Sequence, residues 1–229
     1  MVHVLNAIPV TATLAQALDA LRVTEPEDVA FAADLFKKSC DIARPKALYR
    51  EVFVEDTDGG RVEISGVIFN SRVLAAALSK AHRLFAYVCT CGIEVDDWSH
   101  KEPDPVAAVW IDMFKQMFVV DAAMYLRNHL TQTYGFTNIS SINPGSGDIE
   151  NWPISQQSEL FLLIGGVKEQ IGVTLTDSYL MIPTKSTSGL YFPSETEFVN
   201  CALCSREVCE NRRAPYDMEL HAQALGGKK

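Results

Sequence analysis

The sequence predicts an α+β fold that forms a single domain. Apolar residues recur with helical spacing between Glu25 and Ala43, whereas two β-rich runs flank Asp58-Gly59-Gly60, residues that tolerate the positive φ of a tight hairpin. Helical and strand-like segments then follow one another without a regular strand–helix–strand alternation. An α+β arrangement therefore fits the pattern better than a parallel α/β fold.

The segments after the hairpin predict a short helix, a strand and a long helix. Ser71 can cap a helix over residues 72–83, and LFAYVCTCG predicts a buried strand that ends at Gly92. A long helix begins near Pro103 and Pro105 and carries an apolar stripe at Val106, Trp110, Met113, Met117, Val120 and Met124. A second stripe, at Ile111, Phe114 and Phe118, predicts that this helix is central and buried over a wide face.

Asp121 falls on the apolar side of this long helix. A buried carboxylate must be hydrogen-bonded or paired. We therefore predict a structural role, in which Asp121 accepts hydrogen bonds from backbone amides of the following loop. The alternative is a ligand-binding role.

The C-terminal half begins with a polar stretch, NISSINPGSGDIENWPIS, which is predicted to be mostly loop. A helix over about 155–166 follows and ends at Gly165-Gly166. The sequence IGVTLTDSYLMIPTKSTSGLYF then predicts two short strands with Pro183 to Gly189 between them.

Composition and charge exclude several classes of partner. The 229 residues carry 20 Lys and Arg against 29 Asp and Glu, a net charge of −9, and no basic cluster that suits nucleic acid. No run of about 18 apolar residues and no signal-peptide pattern is present, so no membrane partner is expected. We expect a soluble, cytoplasmic protein.

Three cysteines near the C-terminus, in CALCSREVC, have a spacing that suits a metal centre. Thiolates are soft ligands for an iron–sulfur cluster or zinc, so Cys201, Cys204 and Cys209 are the candidate metal ligands. A fourth ligand could come from Cys89, Cys91 or His221. The alternatives are buried or purely redox-active cysteines, and burial is the favoured interpretation of Cys89 and Cys91.

Two polar segments are candidates for cofactor binding. The loop NPGSGD allows close approach of a ligand to its backbone, although it can equally be a plain turn. The segment KSTSGLY can hydrogen-bond a polar rim and lay Tyr191 on a flat ring, or form a hairpin turn. The candidate residues are Asn143, Pro144, Gly145, Ser146, Gly147, Asp148, Lys185, Ser186, Thr187, Ser188, Gly189, Leu190 and Tyr191. No catalytic set of nucleophile, base and orienting acid is recognisable, so catalytic residues stay unknown and enzymatic activity stays open.

Taken together, ordered segments over about residues 25–195 resemble one family. They are ARPKALYREV, the hairpin with GVIFNSRVLAAAL, AYVCTCG, VVDAAMYL, NPGSGD with WPISQQSELFLLI, and the final IGVTLTDSYLMIPTKSTSGLYF. These segments resemble the activation domain of cobalamin-dependent methionine synthase and its stand-alone relatives. The most specific parts, LTDSYLMIP and KSTSGLYF, resemble the stretch of the family that faces the corrinoid.

The resemblance implies helices around a twisted antiparallel sheet, and we assign residues 1–196 to this domain. Residues 197–229 are a cysteine-rich tail that the synthase lacks. The resemblance also implies docking on a corrinoid protein or a cobalamin-dependent methyltransferase, with cobalamin held by that partner, and binding of S-adenosylmethionine. The family has an Arg and a Tyr where this sequence has Ser141 and Ser146, and Ile149 to Asn151 interrupt an acid-Trp-Pro run. We therefore expect S-adenosylmethionine to bind weakly or not at all.

Two functions from different classes follow from these observations. The first is an accessory protein that works in the reactivation of, or methyl transfer with, a separate corrinoid protein or methyltransferase. The alternative is a metal- or iron–sulfur-binding redox or regulatory protein on the same fold. The first requires affinity for a cobalamin-loaded partner, and the second requires a metal signal that does not depend on a corrinoid.

The cysteine spacing generates a direct prediction for the tail. Anaerobically purified protein should contain stoichiometric iron and sulfide, or zinc, because three closely spaced thiolates hold such centres well. Cys→Ser at position 201, 204 or 209 should lower metal content in elemental analysis, whereas the matched Cys40→Ser should only reduce stability. Metal-free protein in which all three thiols alkylate freely would contradict the prediction.

Overall fold

An antiparallel sheet of seven strands organises the chain in this computed structural model, which describes residues 1–146, 152–194, 202, 207–208, 212, 214–219 and 222. The strands of the sheet are β1 (Val2–Leu5), β2 (Lys46–Asp58), β3 (Arg61–Ile64), β4 (Val67–Asn70), β5 (Arg83–Thr90), β6 (Ile139–Ile142) and β9 (Ser186–Pro193). Their order is β4-β3-β2-β5-β9-β6, and β1 pairs with β2. A separate hairpin joins β7 (Thr174–Leu175) to β8 (Met181–Ile182).

Strand β5 lies at the centre of the sheet. It pairs with β2 from Arg83↔Phe53 to Thr90↔Lys46 and with β9 from Phe85↔Tyr191 to Thr90↔Ser186. Every residue of β5 except Arg83 is buried, because helices cover both faces of the sheet. This burial on both faces explains why the sequence of β5 is an almost continuous apolar run.

Helices form a layer on each face of the sheet. The helices are α1 (Leu14–Leu21), α2 (Pro26–Ile42), α3 (Arg72–Leu78), α4 (Ile93–Ser99), α5 (Pro105–Tyr134), α6 (Gln157–Ile164) and α7 (Val167–Ile171). Helix α5 packs on β2, β5 and β9, with α1, α2 and α4 against it, while α3, α6 and α7 cover the opposite face. The predicted α+β class, with helices around an antiparallel sheet, is confirmed. None of the helices in the described part of the chain is both long and apolar enough to cross a membrane.

The predicted hairpin is confirmed in detail. Gly59 and Gly60 form the two-residue connection between β2 and β3 with φ of 56° and 106°, values that side chains disfavour. Ser71 caps α3 as predicted, since its Oγ accepts a hydrogen bond from the Leu74 amide at 2.9 Å. The helix ends at Leu78, earlier than predicted, because β5 already begins at Arg83.

The two apolar stripes of α5 differ in burial from what was predicted. Ile111, Phe114 and Phe118 are fully buried against α1, α2 and α4. Along the first stripe, however, Val120 is 46% exposed and Met124 is 60% exposed. The second stripe is therefore fully covered, whereas the first stripe is partly buried at Trp110, Met113 and Met117 and exposed at its other positions.

Asp121 has the predicted structural role but a different partner. Its carboxylate accepts hydrogen bonds from the backbone amides of Thr11, at 2.8 Å, and Ala12, at 3.1 Å, and from the Thr11 hydroxyl. It therefore fixes the segment that precedes α1 onto α5, and not the loop that follows α5. Three donors satisfy a carboxylate that is only 9% exposed.

One prediction for the C-terminal half was wrong. The polar stretch was predicted to be mostly loop, and its described part also contains β6, an edge strand paired with β9 from Ile139↔Pro193 to Ile142↔Leu190. The segment predicted to separate two strands, Pro183 to Gly189, instead enters β9 at Ser186. Its hydroxyl-bearing residues therefore lie within the main sheet, beside β5.

Candidate functional site

A cavity of about 290 Å³ opens where the start of β9 meets the turn after β6 and the β7–β8 hairpin. Helix α6 and the short 3-10 helix before it, Ile154–Gln156, complete the wall. The lining residues are Asn143, Pro144, Ile154, Gln157, Tyr179, Leu180, Met181, Thr184, Ser186, Thr187 and Ser188. The cavity thus joins the two polar segments that the sequence singled out.

Asn143 holds these two segments together. Its side-chain Nδ2 donates to the Tyr87 hydroxyl at 2.8 Å and to the Ser188 carbonyl at 2.6 Å. A Cβ at Gly189 would lie 2.5 Å from Asn143 Nδ2 and 2.5 Å from the Ile142 carbonyl oxygen. Only glycine leaves room for the Asn143 carboxamide above β9, so the position of the turn depends on Gly189.

Tyr87 and Tyr191 form the layer beneath this contact. Their rings are stacked with centroids 4.3 Å apart, and both side chains are buried. Burial raises the pKa of Tyr87 to about 12 and that of Tyr191 well above its ordinary value, so both phenols stay protonated at neutral pH. Tyr191 therefore belongs to the core and does not offer its ring to a ligand.

The hydroxyl groups of the β9 segment differ in how they are satisfied. Ser186 Oγ lies 2.8 Å from the Pro183 carbonyl oxygen and 3.0 Å from Thr90 Oγ1. Ser188 is only 4% exposed, yet its Oγ has no hydrogen-bond partner among the residues that the structure describes. A buried hydroxyl without a partner costs about 1–3 kcal/mol, which makes Ser188 the unusual group in this wall.

The β7–β8 hairpin presents an apolar edge to the cavity. The Thr176 amide donates to the Leu180 carbonyl at 2.8 Å, and Thr176 Oγ1 accepts from the Leu180 amide at 3.0 Å. These bonds hold Tyr179 at a φ of 63°, in the left-handed region that side chains disfavour. The Leu180 side chain is left 58% exposed at the rim.

Lys185 does not contribute its charge to the cavity. Its ammonium lies 2.9 Å from Asp112 on α5, and its carbonyl accepts from the Cys91 amide at 3.1 Å. Asp112 also lies 3.5 Å from Lys115, which is buried with Asp96 as an ion pair at 2.9 Å. The ion pairs tie the entrance of β9 to the helical layer behind the sheet.

The structure brings together five of the thirteen predicted cofactor-binding residues at the cavity: Asn143, Pro144, Ser186, Thr187 and Ser188. Gly145 and Ser146 form the turn beside the cavity, where the Gly145 amide donates to the Trp152 carbonyl at 2.8 Å. Gly189, Leu190 and Tyr191 are packed inside the sheet, so they are not presented to a partner. Gly147 and Asp148 lie outside the described residues.

The sequence analysis missed the contribution of the β7–β8 hairpin and of α6. Tyr179, Leu180 and Met181 lie in the LTDSYLMIP stretch, where the family resemblance was strongest, but no residue of that stretch was included among the candidates. Gln157, from α6, is distant in sequence and carried no local signal. The resemblance was therefore the only signal that could have identified the hairpin residues.

The candidate metal ligands Cys201, Cys204 and Cys209, with His221, lie outside the described residues. Within the described ranges, no group of three or more His, Cys, Asp or Glu side chains is placed to hold a metal ion. Cys89 and Cys91 are fully buried, as favoured from sequence, and burial raises the pKa of Cys91 to about 12 and that of Cys89 further.

A comparison with protein-family models shows the family of this chain, and a comparison with solved structures shows its fold. Residues 84–213 match the model described as vitamin B12 dependent methionine synthase, activation domain, and this range is more than half of the chain. Among solved structures, the crystal structure of the MetH reactivation domain bound to AdoHcy matches with a TM-score of 0.58 and 15% identity, over 87% of this chain and 80% of that chain. At that identity the likeness establishes the fold alone. No curated protein matches the chain by sequence.

The contact between Asn143 and Gly189 generates a stability prediction. Gly189→Ala should destabilise the protein by about 1–3 kcal/mol, because the new methyl group collides with Asn143 and with the Ile142 carbonyl. Asn143→Ala removes one of those two collisions. In urea unfolding, the double variant should therefore be less destabilised than the sum of the two single variants, by at least about 0.5 kcal/mol.

The exposed Asn138 provides the control, since Asn138→Ala should change the free energy of unfolding by less than about 0.5 kcal/mol. Strict additivity of Gly189→Ala and Asn143→Ala would show that the two residues do not share the space described here.

Proposed function

The chain belongs to the family of vitamin B12-dependent methionine synthase activation domains, and from this membership we propose that it is an accessory protein for a corrinoid partner. The partner is a corrinoid protein or a cobalamin-dependent methyltransferase, and the process is its reactivation or methyl transfer. The observation that carries the proposal is the cavity between β9 and the β7–β8 hairpin, with its apolar rim. Both cavity segments fall inside the matched residues.

The rim has the properties of a surface that a partner covers. Ile154 is 42% exposed, Leu180 is 58% exposed and Ile182 is 37% exposed, and the first two line the cavity directly. Exposed apolar residues grouped beside hydrogen-bonding groups are typical of interaction sites, whereas isolated ones need no explanation. Burying one such leucine side chain contributes about 1.5–3 kcal/mol to association.

A corrinoid fits this lining better than a charged ligand does. The macrocycle is large, flat and mainly apolar, with uncharged amide groups around its rim, so it can contact the exposed side chains of Leu180 and Ile154. When bound, the corrinoid supplies the redox and methyl-transfer chemistry. The residues of this chain hold and orient it, and their apolar rim excludes water from the contact.

S-adenosylmethionine does not fit the described lining. Its carboxylate needs a charged donor such as Arg, and none of the described lining residues is Lys, Arg, Asp or Glu. Ser141 stands in β6 at the position where the family has Arg, and the nearby Lys185 is paired with Asp112. AdoHcy is named for the MetH reactivation domain, whereas the described lining of this cavity offers such a ligand no charged donor.

The alternative function, a metal- or iron–sulfur-binding redox protein, depends on the cysteine tail. No described contact adds support for it. The metal analysis of the Cys→Ser variants tests this alternative function. That test can be made without a corrinoid partner.

The proposal predicts that binding to a cobalamin-loaded partner depends on the cavity rim. The assay is calorimetry against the cobalamin-binding domain of a methionine synthase, loaded with cobalamin and in its apo form. Leu180→Asp should weaken binding about ten- to a hundredfold, because it removes a buried leucine contact and adds a charge. The Thr176 bonds to residue 180 involve its backbone, so the hairpin is retained.

Met124→Asp is the matched control, since Met124 is 60% exposed on the far side of α5 and Leu180 is 58% exposed. It should leave affinity unchanged. Binding that is absent with wild-type protein, equal for loaded and apo partner, or equally reduced by both substitutions would overturn the proposal.

A further inference from the structure

We propose that the exposed side of α5 is a dimer interface, in which the α5 helices of two copies of this chain lie antiparallel. This side, called the outer face below, consists of Val106, Val109, Met113, Met117, Val120 and Met124. The inference does not depend on the proposed function, because none of the described residues that line the cavity belongs to α5.

The outer face is apolar although it is exposed to solvent. Val106 is 52% exposed and Val109 is 60% exposed at one end, and Val120 and Met124 are 46% and 60% exposed at the other. The face extends over about 27 Å, since each residue of a helix adds about 1.5 Å. Because the opposite side of α5 packs in the core, the helix is apolar nearly all round. Such a helix is normally covered on every side, so we expect a partner for the outer face.

Charged groups do not interrupt the outer face. Asp112 lies beside it, but the carboxylate is 2.9 Å from Lys185 Nζ and 3.5 Å from Lys115 Nζ, so its charge is compensated within the chain. Lys115 itself is buried in the ion pair with Asp96. Interfacial helices that bind membranes carry Lys and Arg along the polar flank, and α5 offers no exposed Lys or Arg between Pro105 and Met124. The surface therefore suits a protein better than a lipid headgroup.

The outer face has nearly the same pattern when it is read from either end, with Met113 and Met117 on either side of its middle. A symmetric dimer requires a surface that complements itself, because the same patch is used by both copies. In an antiparallel pair centred between the two methionines, apolar side chains meet apolar side chains within one residue of register. The opposed pairs are Met113 with Met117, Val109 with Val120, and Val106 with Met124.

The two ends of the outer face carry opposite charges. Glu102 and Asp104 outnumber Lys101 before the start of α5, and the exposed Arg127 follows Met124 by one turn. In the antiparallel pair, Arg127 of each copy approaches Glu102 and Asp104 of the other, whereas a parallel pair would place like charges side by side. The helix macrodipoles also favour the antiparallel arrangement. This complementarity favours a second copy over an unrelated apolar partner.

Sedimentation equilibrium under reducing conditions tests the dimer directly. A single helix pair lies at the low end of interface sizes, so we expect a dissociation constant of about 10–100 µM. At low micromolar protein the outer face should therefore stay open. At several hundred micromolar the mass should approach that of a dimer, and Val109 and Met124 should become protected from hydroxyl-radical oxidation. A protein that stays monomeric at that concentration would overturn the inference, whatever else covers the outer face.

Two aspartate variants separate this interface from general surface stickiness. Val109→Asp should weaken the dimer at least about tenfold, because it buries a charge in the contact, and should leave the melting temperature unchanged. Met124→Asp should act in the same way. Leu162→Asp is the matched control, since Leu162 is 72% exposed on α6, which covers the other face of the sheet. A dimer that survives Val109→Asp, or that is weakened equally by Leu162→Asp, would contradict the interface.

A charge swap tests the antiparallel arrangement. Arg127→Glu and Glu102→Lys each place like charges at both ends of the dimer, so each variant alone should dimerise about three- to tenfold more weakly. A mixture of the two variants restores opposite charges at both ends and should associate nearly as well as the wild type. Glu102 is exchanged because Asp104 caps α5 by accepting from the Val106 amide at 2.8 Å.

The recovery in the mixture is the decisive result of the charge swap. Arg127→Glu also removes the hydrogen bond from Arg127 to the Ile139 carbonyl at 3.3 Å, but a loss of stability in one variant cannot produce recovery on mixing. Absence of recovery would overturn the antiparallel register and, with it, the inference.

Discussion

The carboxamide of Asn143 occupies the space that a side chain at Gly189 would fill, and the candidate site depends on this contact. Through it, the turn after β6 lies directly on β9, with hydrogen bonds from Asn143 to Tyr87 on β5 and to the Ser188 carbonyl. The same contact covers the Tyr87–Tyr191 stack. Packing inside the sheet and the wall of the cavity are therefore set by one small residue.

The hydroxyl-bearing segment of β9, residues 186–188, is anchored at both ends. At its start, Lys185 is paired with Asp112 on α5 and accepts a backbone hydrogen bond from Cys91. At Gly189, Asn143 closes over the strand. Residues 186–188 are thus held on a central strand between two fixed points, which gives a binding wall the rigidity that recognition benefits from. Little conformational freedom remains in this wall, and an example is the orientation of the Ser188 hydroxyl hydrogen.

Local sequence chemistry predicted the elements that local interactions determine. The hairpin at Gly59-Gly60, the Ser71 cap and helix α2 all depend on neighbours within a few residues, and the structure agrees with them. Strand β9 was missed at its start because Ser, Thr and Gly favour turns, and only pairing with β5 and β6 makes these residues a strand. The buried side of α5 was also ambiguous, since both of its stripes are apolar and only the packing of other elements selects one. Asp121 was recognised as structural, but its partner lies about a hundred residues away in sequence and could not be inferred from spacing.

For the candidate site, composition identified hydroxyls and glycines but not their geometry. The cavity needs residues from α6 and the β7–β8 hairpin that only the fold brings to Ser188.

The central claim is that a corrinoid partner covers this face of the molecule. Hydroxyl-radical footprinting tests it directly, with the cobalamin-loaded domain present and absent. The account predicts that Leu180 and Ile154 become protected from oxidation while Met124 and Val109, exposed on α5, stay reactive. Protection of Met124 and Val109 with Leu180 unchanged would contradict it.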